Sequence, residues 1–596
     1  MRHITYKLKY AALAAVAVMM LAACSDFLEI TPRDQVTEDN FWNEKADIDQ
    51  MVAGCYLSMQ TEGFINNAIV WGEARSENLY PTSMLDSKEY NLYQIMRENL
   101  LSTNPYTKWI NYYEVINKAN TIIAMAPVVS QKDPSYHESD VLATIAEMTA
   151  LRSLCYFYLI RTFDEVPFYR FAVQEEDAVA ALPATPFNQV LDSLVYDLEA
   201  VRGNAIVHYP ANDDNDRIGG RYYTTVNRVT RTAIDAMLTE MYLWQGNYDK
   251  AIASADAVIA QKRADYQEEY GASTSVSLTK PQLLTAPNGT AMELYQATTA
   301  NPSLVHNAIF GGNGNSFESI FELAFTFQGS GSFYENTAFG RLFGENKAKD
   351  SNQGAGFLTP RPDIIAEMSA KSYSFWRSQY DVRFYNNIQT DNKYAEGTIR
   401  KGVALTFDIA AKSGSGLPFD NTSKGYFTIS AYQNRNFIFY RLTDVMLLKA
   451  EALVLKATDE ETDENKELLR QAFDLVYLVN TRSCTNRTDY LNANKTEATN
   501  RKLLREVIRG ERNRELMYEG KRWFDLVRYA RQEGSPKVVR STVTSKVSSG
   551  AGGGTFPSMD ALFWPYNKDE VRVNPNLHQK SIYASEASES YSSGNE

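Results

Sequence analysis

The stretch Arg509-Gly510-Glu511-Arg512-Asn513-Arg514-Glu515-Leu516-Met517-Tyr518-Glu519-Gly520-Lys521-Arg522-Trp523-Phe524-Asp525-Leu526 decides how this chain is read. Glu511, Glu515 and Glu519 recur at i, i+4 and i+8, so three carboxylates share one helix face, with Arg512, Arg514 and Arg522 beside it. Paired carboxylates can serve acid–base catalysis when burial tunes them. A neighbouring cation does the opposite: it lowers a carboxyl pKa and holds the group ionised, the wrong direction for a general acid. The pattern predicts an ion network tying this helix to its neighbours, with Trp523 and Phe524 filling the core.

Outward from this helix, apolar residues keep helical spacing over much of the chain. Helices are expected over 39–60, 107–125, 140–163, 187–201, 229–259, 440–456 and 466–481. The segment 229–259 is the most specific, because Gly246-Asn247-Tyr248 supplies a tight corner between two Ala-rich helices. This is tetratricopeptide logic without a strict period of 34 residues. Pairs are proposed for 39–60 with 107–125, 140–163 with 187–201, and 440–456 with 466–481. The expected fold class is mainly α: a tetratricopeptide-like helical scaffold at about 39–263 and 436–531, holding a large irregular, loop-rich lobe at about 264–435 with short strands. Strands are expected at Ile320–Phe327 and Gly425–Tyr432, a loop at 541–558, and a frayed tail from Ser585 within a carboxy-terminal segment 532–596.

The 596 residues carry a formal net charge of −13, the wrong sign for a nucleic-acid binder. Only 5 His and 4 Cys leave little for a metal cluster or redox centre, whereas 37 Tyr, 28 Phe and 7 Trp form a surplus that needs a use. Residues 1–23 read as a signal peptide: Arg2, Lys7 and Lys9 precede an apolar run from Ala11 to Ala22. Leu21-Ala22-Ala23-Cys24 resembles a bacterial lipobox, which implies cleavage before Cys24 and a lipid on its thiol. Residues 24–596 would then be a single domain with charge −16 and no later run of membrane-spanning length. Cys55, Cys155 and Cys484 are an odd count; they are expected as small buried hydrophobes, with one disulfide permitted.

Several stretches carry a family resemblance. Phe439-Tyr440-Arg441-Leu442-Thr443-Asp444 through Ala452, Val479-Asn480-Thr481-Arg482, the stretch from Arg509 to Leu526, and Phe563-Trp564-Pro565-Tyr566 with Glu570 and Asn574-Pro575-Asn576-Leu577 resemble segments of the SusD/RagB family. Cys24 followed by Ser25–Pro32 and by Asn40-Phe41-Trp42 resembles the start of that family, and Asp164-Glu165-Val166-Pro167 resembles a turn of it that usually carries Gly. Tyr566 departs too, standing where an aliphatic residue is usual. The resemblance implies a nutrient-binding lipoprotein on the outer membrane, facing the cell exterior, that captures oligosaccharide or polysaccharide without transforming it. It implies as partner a SusC-like TonB-dependent transporter over which the protein acts as a lid. Peptide capture, as in RagB-like relatives, is the alternative within binding proteins; a surface glycoside hydrolase is the alternative from another class.

No H-E-x-x-H, C-x-x-C, G-x-S-x-G or P-loop pattern stands in a supporting context. The glycine-rich run Gly311–Ser316 lacks a phosphate-binding Lys and reads as turns. No cofactor or metal is expected, except that Asn212-Asp213-Asp214-Asn215-Asp216 could offer oxygens to Ca²⁺, where a solvated turn is the plainer reading. Sugars present flat C–H faces between hydroxyls, so a glycan site needs aromatic planes flanked by polar groups. Candidates in non-helical stretches are Tyr80, Tyr90, Tyr93, Tyr295, Phe333, Tyr334, Phe375 and Trp376, whereas Trp71 reads as core.

Overall fold

The computed structural model describes residues 41–584 apart from 83–84, 174–181, 210–216, 219–220, 223–225, 272–279, 300, 312–313, 326–335, 344–355, 371–373, 392–393, 402–434, 486–490, 492–495 and 549–553. Cys24, expected to be lipidated, the Ca²⁺ candidate 212–216, the strand expected at 425–432 and the tail from Ser585 lie outside the described residues.

The apolar stripes fold as helices that run close to their expected bounds. They are α1 (Lys45–Met59), α2 (Ile110–Lys132), α3 (Glu138–Phe163), α4 (Phe187–Val201), α5 (Arg231–Gln245), α6 (Tyr248–Tyr270), α7 (Leu442–Lys456) and α8 (Asp463–Arg482). Each packs against the next, from α1 on α2 through α7 on α8, so the proposed pairs are parts of one continuous stack. The corner between α5 and α6 follows the sequence logic: Gly246 takes φ +77°, and Asn247 accepts a hydrogen bond from the Lys250 amide to cap α6. Two further helices, α9 (Arg501–Leu516) and α10 (Arg522–Glu533), close the stack, with α9 lying on α7 and α8.

Two expectations need correction. The loop assigned to 541–558 begins as helix, because Lys537–Ser548 is α-helical. Its Ser, Thr and Val residues are poor helix formers, but Val539 and Val543 are buried one turn apart, and the buried Lys546 ammonium donates to the Ala74 and Ser76 carbonyls at 2.9 Å. Tertiary packing overrides propensity here. The helix expected from residue 440 starts at Leu442, because Phe437–Arg441 is a strand.

Labelled in chain order, the strands that matter are β1 (Leu79–Pro81), β2 (Ser319–Leu323), β3 (Leu358–Pro360) and β4 (Phe437–Arg441). β2 fulfils part of the strand expected at 320–327 and pairs antiparallel with β4; β1 pairs antiparallel with β3. Each joins segments far apart in the chain. Cys55, Cys155 and Cys484 are free and buried, as expected.

The carboxylates of the deciding stretch lie inside the protein. Glu515 accepts from Arg441 at 2.6 Å, from Arg383 at 3.0 Å and from Arg482. Glu511 accepts from Arg383 and Arg514, each at 2.8 Å, and Glu519 from Arg441 at 2.8 Å and Lys401 at 3.1 Å. Glu318 receives Arg482, and Asp381 receives Arg383 at 2.7 Å. Five carboxylates thus meet five cations, and all ten side chains are almost wholly buried. The cations come from the end of α8, from β4, from α9 and from the loop-rich lobe, so the network joins that lobe to the scaffold.

Burial alone would raise these carboxyls. Arg383 and Arg514 at Glu511, Arg482 and Arg441 at Glu515, and Arg441 and Lys401 at Glu519 outweigh it and hold all three below the ordinary carboxylate range. Lowered pKa values stabilise the fold above the unfolded value near 4.5, and that stability is lost as the pH falls through the folded values. Glu515→Gln is expected to cost about 3–5 kcal/mol at pH 7, because it leaves buried cations short of a charge partner. Urea unfolding tests this, and the wild type should lose stability steeply only below about pH 4.5, where these groups begin to protonate in the unfolded chain.

Candidate functional site

The segment that delivers the first aromatic candidates is clamped along its length. Helix Glu62–Ile69 continues as a π-helical turn, Val70–Ala74, and residues 70–80 are all buried. The Glu73 carboxylate accepts from the Asn78 amide at 2.9 Å and from the backbone amides of Tyr518 at 3.1 Å and of Lys521 and Arg522 at 3.2 Å, which caps the start of α10. The Arg75 guanidinium bonds the carbonyls of Ala561 and Leu562, both at 2.7 Å, and lies 4.2 Å from the Trp523 ring centre. Gly72 meets the Gly520 turn backbone to backbone: a Cβ there would sit 1.7 Å from the Gly520 carbonyl oxygen. Trp71 is core, as expected.

This clamp leads into β1 and then the short helix Tyr90–Met96. Tyr90 is 57% exposed and offers an open ring, whereas Tyr93 is half-buried with the Arg97 guanidinium 5.7 Å from its ring centre. Tyr80, on β1 opposite Thr359, is buried. β3 runs into Arg361, whose amide donates to the Asn78 carbonyl at 3.1 Å. The Arg361 guanidinium lies 5.6 Å from the ring centre of the half-buried Phe375. Tyr80 on β1, and Tyr90 and Tyr93 on the helix that packs against it, thus lie around the β1–β3 pair, and Phe375 adjoins that pair through Arg361.

The other candidates do not join it as open planes. Trp376 is fully buried edge-on to Phe375 and Phe384, so its indole is core rather than platform. Tyr295 is buried in a second apolar cluster, with its amide bonded to Glu318 at 3.0 Å. Phe333 and Tyr334 lie outside the described residues.

Sequence reasoning missed the polar frame beside the Tyr90 helix. Arg341, on helix Thr337–Phe343, reaches Glu62 at 3.0 Å and also bonds Glu89, the residue that precedes Tyr90. Thr337 donates to Glu62 at 3.0 Å, and the Asn66 side-chain amide donates to the same carboxylate at 3.1 Å. Burial works to raise the Glu62 carboxyl, but Arg341, Thr337 and Asn66 overcome it and hold it low. Behind this frame sits Tyr106, close enough for Arg341, Glu89 and Glu62 to act on its hydroxyl electrostatically. Its hydroxyl and the Asn66 carbonyl oxygen are buried and have no hydrogen-bond partner among the described residues. Glu62, Glu89 and Arg341 are separated by up to 279 positions, and no local motif marks them.

Elsewhere a small cleft opens between Phe310, Phe339 and Phe437, with the Lys401–Glu519 ion pair in its wall. Among the described residues, no group of His, Cys, Asp and Glu is arranged to hold a metal ion, and no helix is long and apolar enough to cross a membrane.

Comparison with known proteins adds four findings. The SusD family model matches residues 317–583. A SusD-like protein, P38, of Formosa agariphila is 23% identical over 576 residues, covering 96% of this chain and 98% of that one. Among solved structures, a laminarin-binding SusD-like protein superposes with a TM-score of 0.57 at 18% identity, covering 91% of this chain and 100% of its own. A surface glycan-binding protein A of Bacteroides uniformis gives 0.59 at 16% identity, covering 90% and 99%. At these identities the structural likeness establishes the fold.

The clamp makes a sharp prediction about two glycines. Gly72→Ala must push the two backbones apart and is expected to cost at least about 3 kcal/mol, the upper range for overpacking. Gly54→Ala, on α1 with nothing within 4 Å of its added Cβ, should be neutral or stabilising by up to about 1 kcal/mol. Thermal unfolding of the two variants beside the wild type checks this.

Proposed function

Since this chain is a SusD/RagB-family protein, we propose that it captures oligosaccharide at the cell surface, is held to the outer membrane by a lipid on Cys24, and delivers its ligand to a SusC-like TonB-dependent transporter. The observation that carries the reading is the aromatic face beside the β1–β3 pair. There an exposed Tyr90 and a half-buried Tyr93 stand on one short helix, next to a frame of carboxylates and a guanidinium. Rings of this kind stack on the C–H faces of sugars, and the flanking polar groups exchange hydrogen bonds with hydroxyls.

Three further features support it. Two solved structures of the same fold are named for glycan or laminarin binding. The buried carboxylates of α9 are bound by arginines and held ionised, which suits a framework role rather than acid catalysis. The scaffold is a continuous stack, with α1 packed on α2 through to α7 on α8, which gives the loops a preformed support.

The test is binding of a polysaccharide panel to the purified chain by calorimetry, followed by substitution at the face. Tyr90→Ala combined with Tyr93→Ala is expected to weaken the captured glycan at least tenfold, while Tyr90→Ala alone leaves the melting temperature within about 2 °C, as an exposed surface change should. Unaltered affinity in the double variant removes this face from the binding site. Release of reducing ends from any bound glycan, abolished by one Asp or Glu substitution, contradicts capture without transformation.

A further inference from the structure

The charges around the aromatic face are arranged in a way that narrows its ligand. Among the described residues four guanidinium groups approach it: three have their forks occupied from within the chain, and the fourth, the exposed Arg97, donates to the Tyr93 hydroxyl at 3.3 Å. Arg361 places Nε on Asp363 at 2.6 Å and Nη2 on the other oxygen of the same carboxylate. Arg341 gives one nitrogen to Glu62 and another to Glu89. Arg514, 6.0 Å from the Phe375 ring centre, gives Nε and Nη2 to Glu511 and Nη1 to the Phe375 carbonyl at 2.8 Å. Recognition of a sulfate or carboxylate draws on the planar fork of arginine, because paired N–H groups match two oxygens. At this face three of those forks are spent on the protein's own carboxylates.

The remaining cations do not change the balance. Lys88 and Arg97 are exposed, so solvent screens them, and Asp86 is exposed on the same short helix as Lys88. Counting the described side chains of the outer face, Lys88, Arg97, Arg341 and Arg361 are matched by Glu62, Asp86, Glu89 and Asp363. A polyanion would also approach a chain of formal charge −13 and meet long-range repulsion.

From this pairing, and resting on the glycan reading above, we infer that the face takes neutral oligosaccharides and discriminates against those bearing uronate or sulfate groups. An anionic sugar unit that engages Arg341 or Arg361 has to displace Glu62, Glu89 or Asp363, leaving one carboxylate unpaired for every new pair made, and the exposed Arg97 offers only a solvent-screened contact. A neutral sugar needs only the rings and the outward lone pairs of the same carboxylates.

The experiment compares one polymer in two charge states, a neutral glucan and its carboxymethylated form, beside native neutral polysaccharides, polygalacturonate, a sulfated galactan and a mixed peptide pool. Binding to the purified full chain is measured at low and high salt. Neutral polymers are expected to bind at least tenfold tighter than their anionic counterparts, with affinity changing less than about twofold between the two salt levels. Asp363→Asn, at a side chain that is largely exposed, frees the Arg361 fork and should raise affinity for the carboxymethylated polymer severalfold at low salt. Equal or tighter wild-type binding of the anionic polymers overturns the inference while leaving glycan capture in place. Binding of peptides with no polysaccharide bound, or of nothing in the panel, overturns the glycan reading itself, and the inference falls with it.

Discussion

Five buried carboxylates and five buried cations, centred on Glu515, are the constraint on which the rest of this structure depends. Removing ten charges from water costs far more than any one ion pair returns, so such a network is tolerable only if every member is matched. The matching here is done by parts of the chain that share no local sequence: Arg383 and Lys401 from the loop-rich lobe, Arg441 from β4, Arg482 from α8 and Arg514 from α9 itself. The loop-rich lobe also sends apolar side chains such as Phe321, Phe339, Trp376 and Phe384 into the core, but apolar contact is non-directional and leaves its exact place open. The network chooses it, because a shifted loop strands a charge. A second balanced set continues the pattern, with Arg512, Lys521 and Arg528 serving Asp444, Asp525 and Glu451. Burial disfavours the Asp444 carboxylate, and Lys521 and Arg512 more than compensate, holding it well below its ordinary range.

The aromatic face inherits its position from this arrangement. The Glu519–Gly520 turn that ends the carboxylate row receives Gly72 backbone to backbone, and Glu73 caps the helix that follows. From that fixed point the chain runs directly into β1 and the Tyr90 helix. On the other side, β3 leads into Arg361, whose guanidinium lies beside the Phe375 ring, and Arg514 of the network bonds the Phe375 carbonyl. The face is thus assembled on rigid elements, while its charges neutralise one another. A neutral, aromatic, preorganised surface suits a ligand with many hydroxyls and flat apolar faces.

Much of the scaffold was legible in the sequence because its signals are local. Helical apolar spacing and the Gly246 corner located the stacked helices, and the carboxylates at 511, 515 and 519 announced an ion network by their arginines. What those carboxylates would meet was not legible: of their arginine partners only Arg514 lies on the same helix, whereas Arg383 and Arg441 come from 128 and 74 residues away. The site was half visible for the same reason. Tyr90 and Tyr93 sit near the surface as residues outside the long amphipathic helices often do, but Trp376 and Tyr295, equally plausible from composition, are buried by contacts that only the fold creates. The Glu62–Arg341–Glu89 frame bridges segments hundreds of residues apart and leaves no trace in spacing. Lys537–Ser548 was misread because its helix is held by Val539, Val543 and Lys546 packing inward, against the preference of its own residues.

Hydrogen exchange under native conditions tests most directly whether the buried charges make the loop-rich lobe and the helical scaffold one unit. If they do, the amides of β2, β4 and helix Val382–Asn387 will share the slowest, global opening seen for α7 and α9, and all will accelerate together as acid titrates the network carboxylates. Exchange of β2, β4 and the Arg383 helix orders of magnitude faster than α7 and α9 at neutral pH would contradict it, showing a lobe that opens on its own and a network that does not bind it.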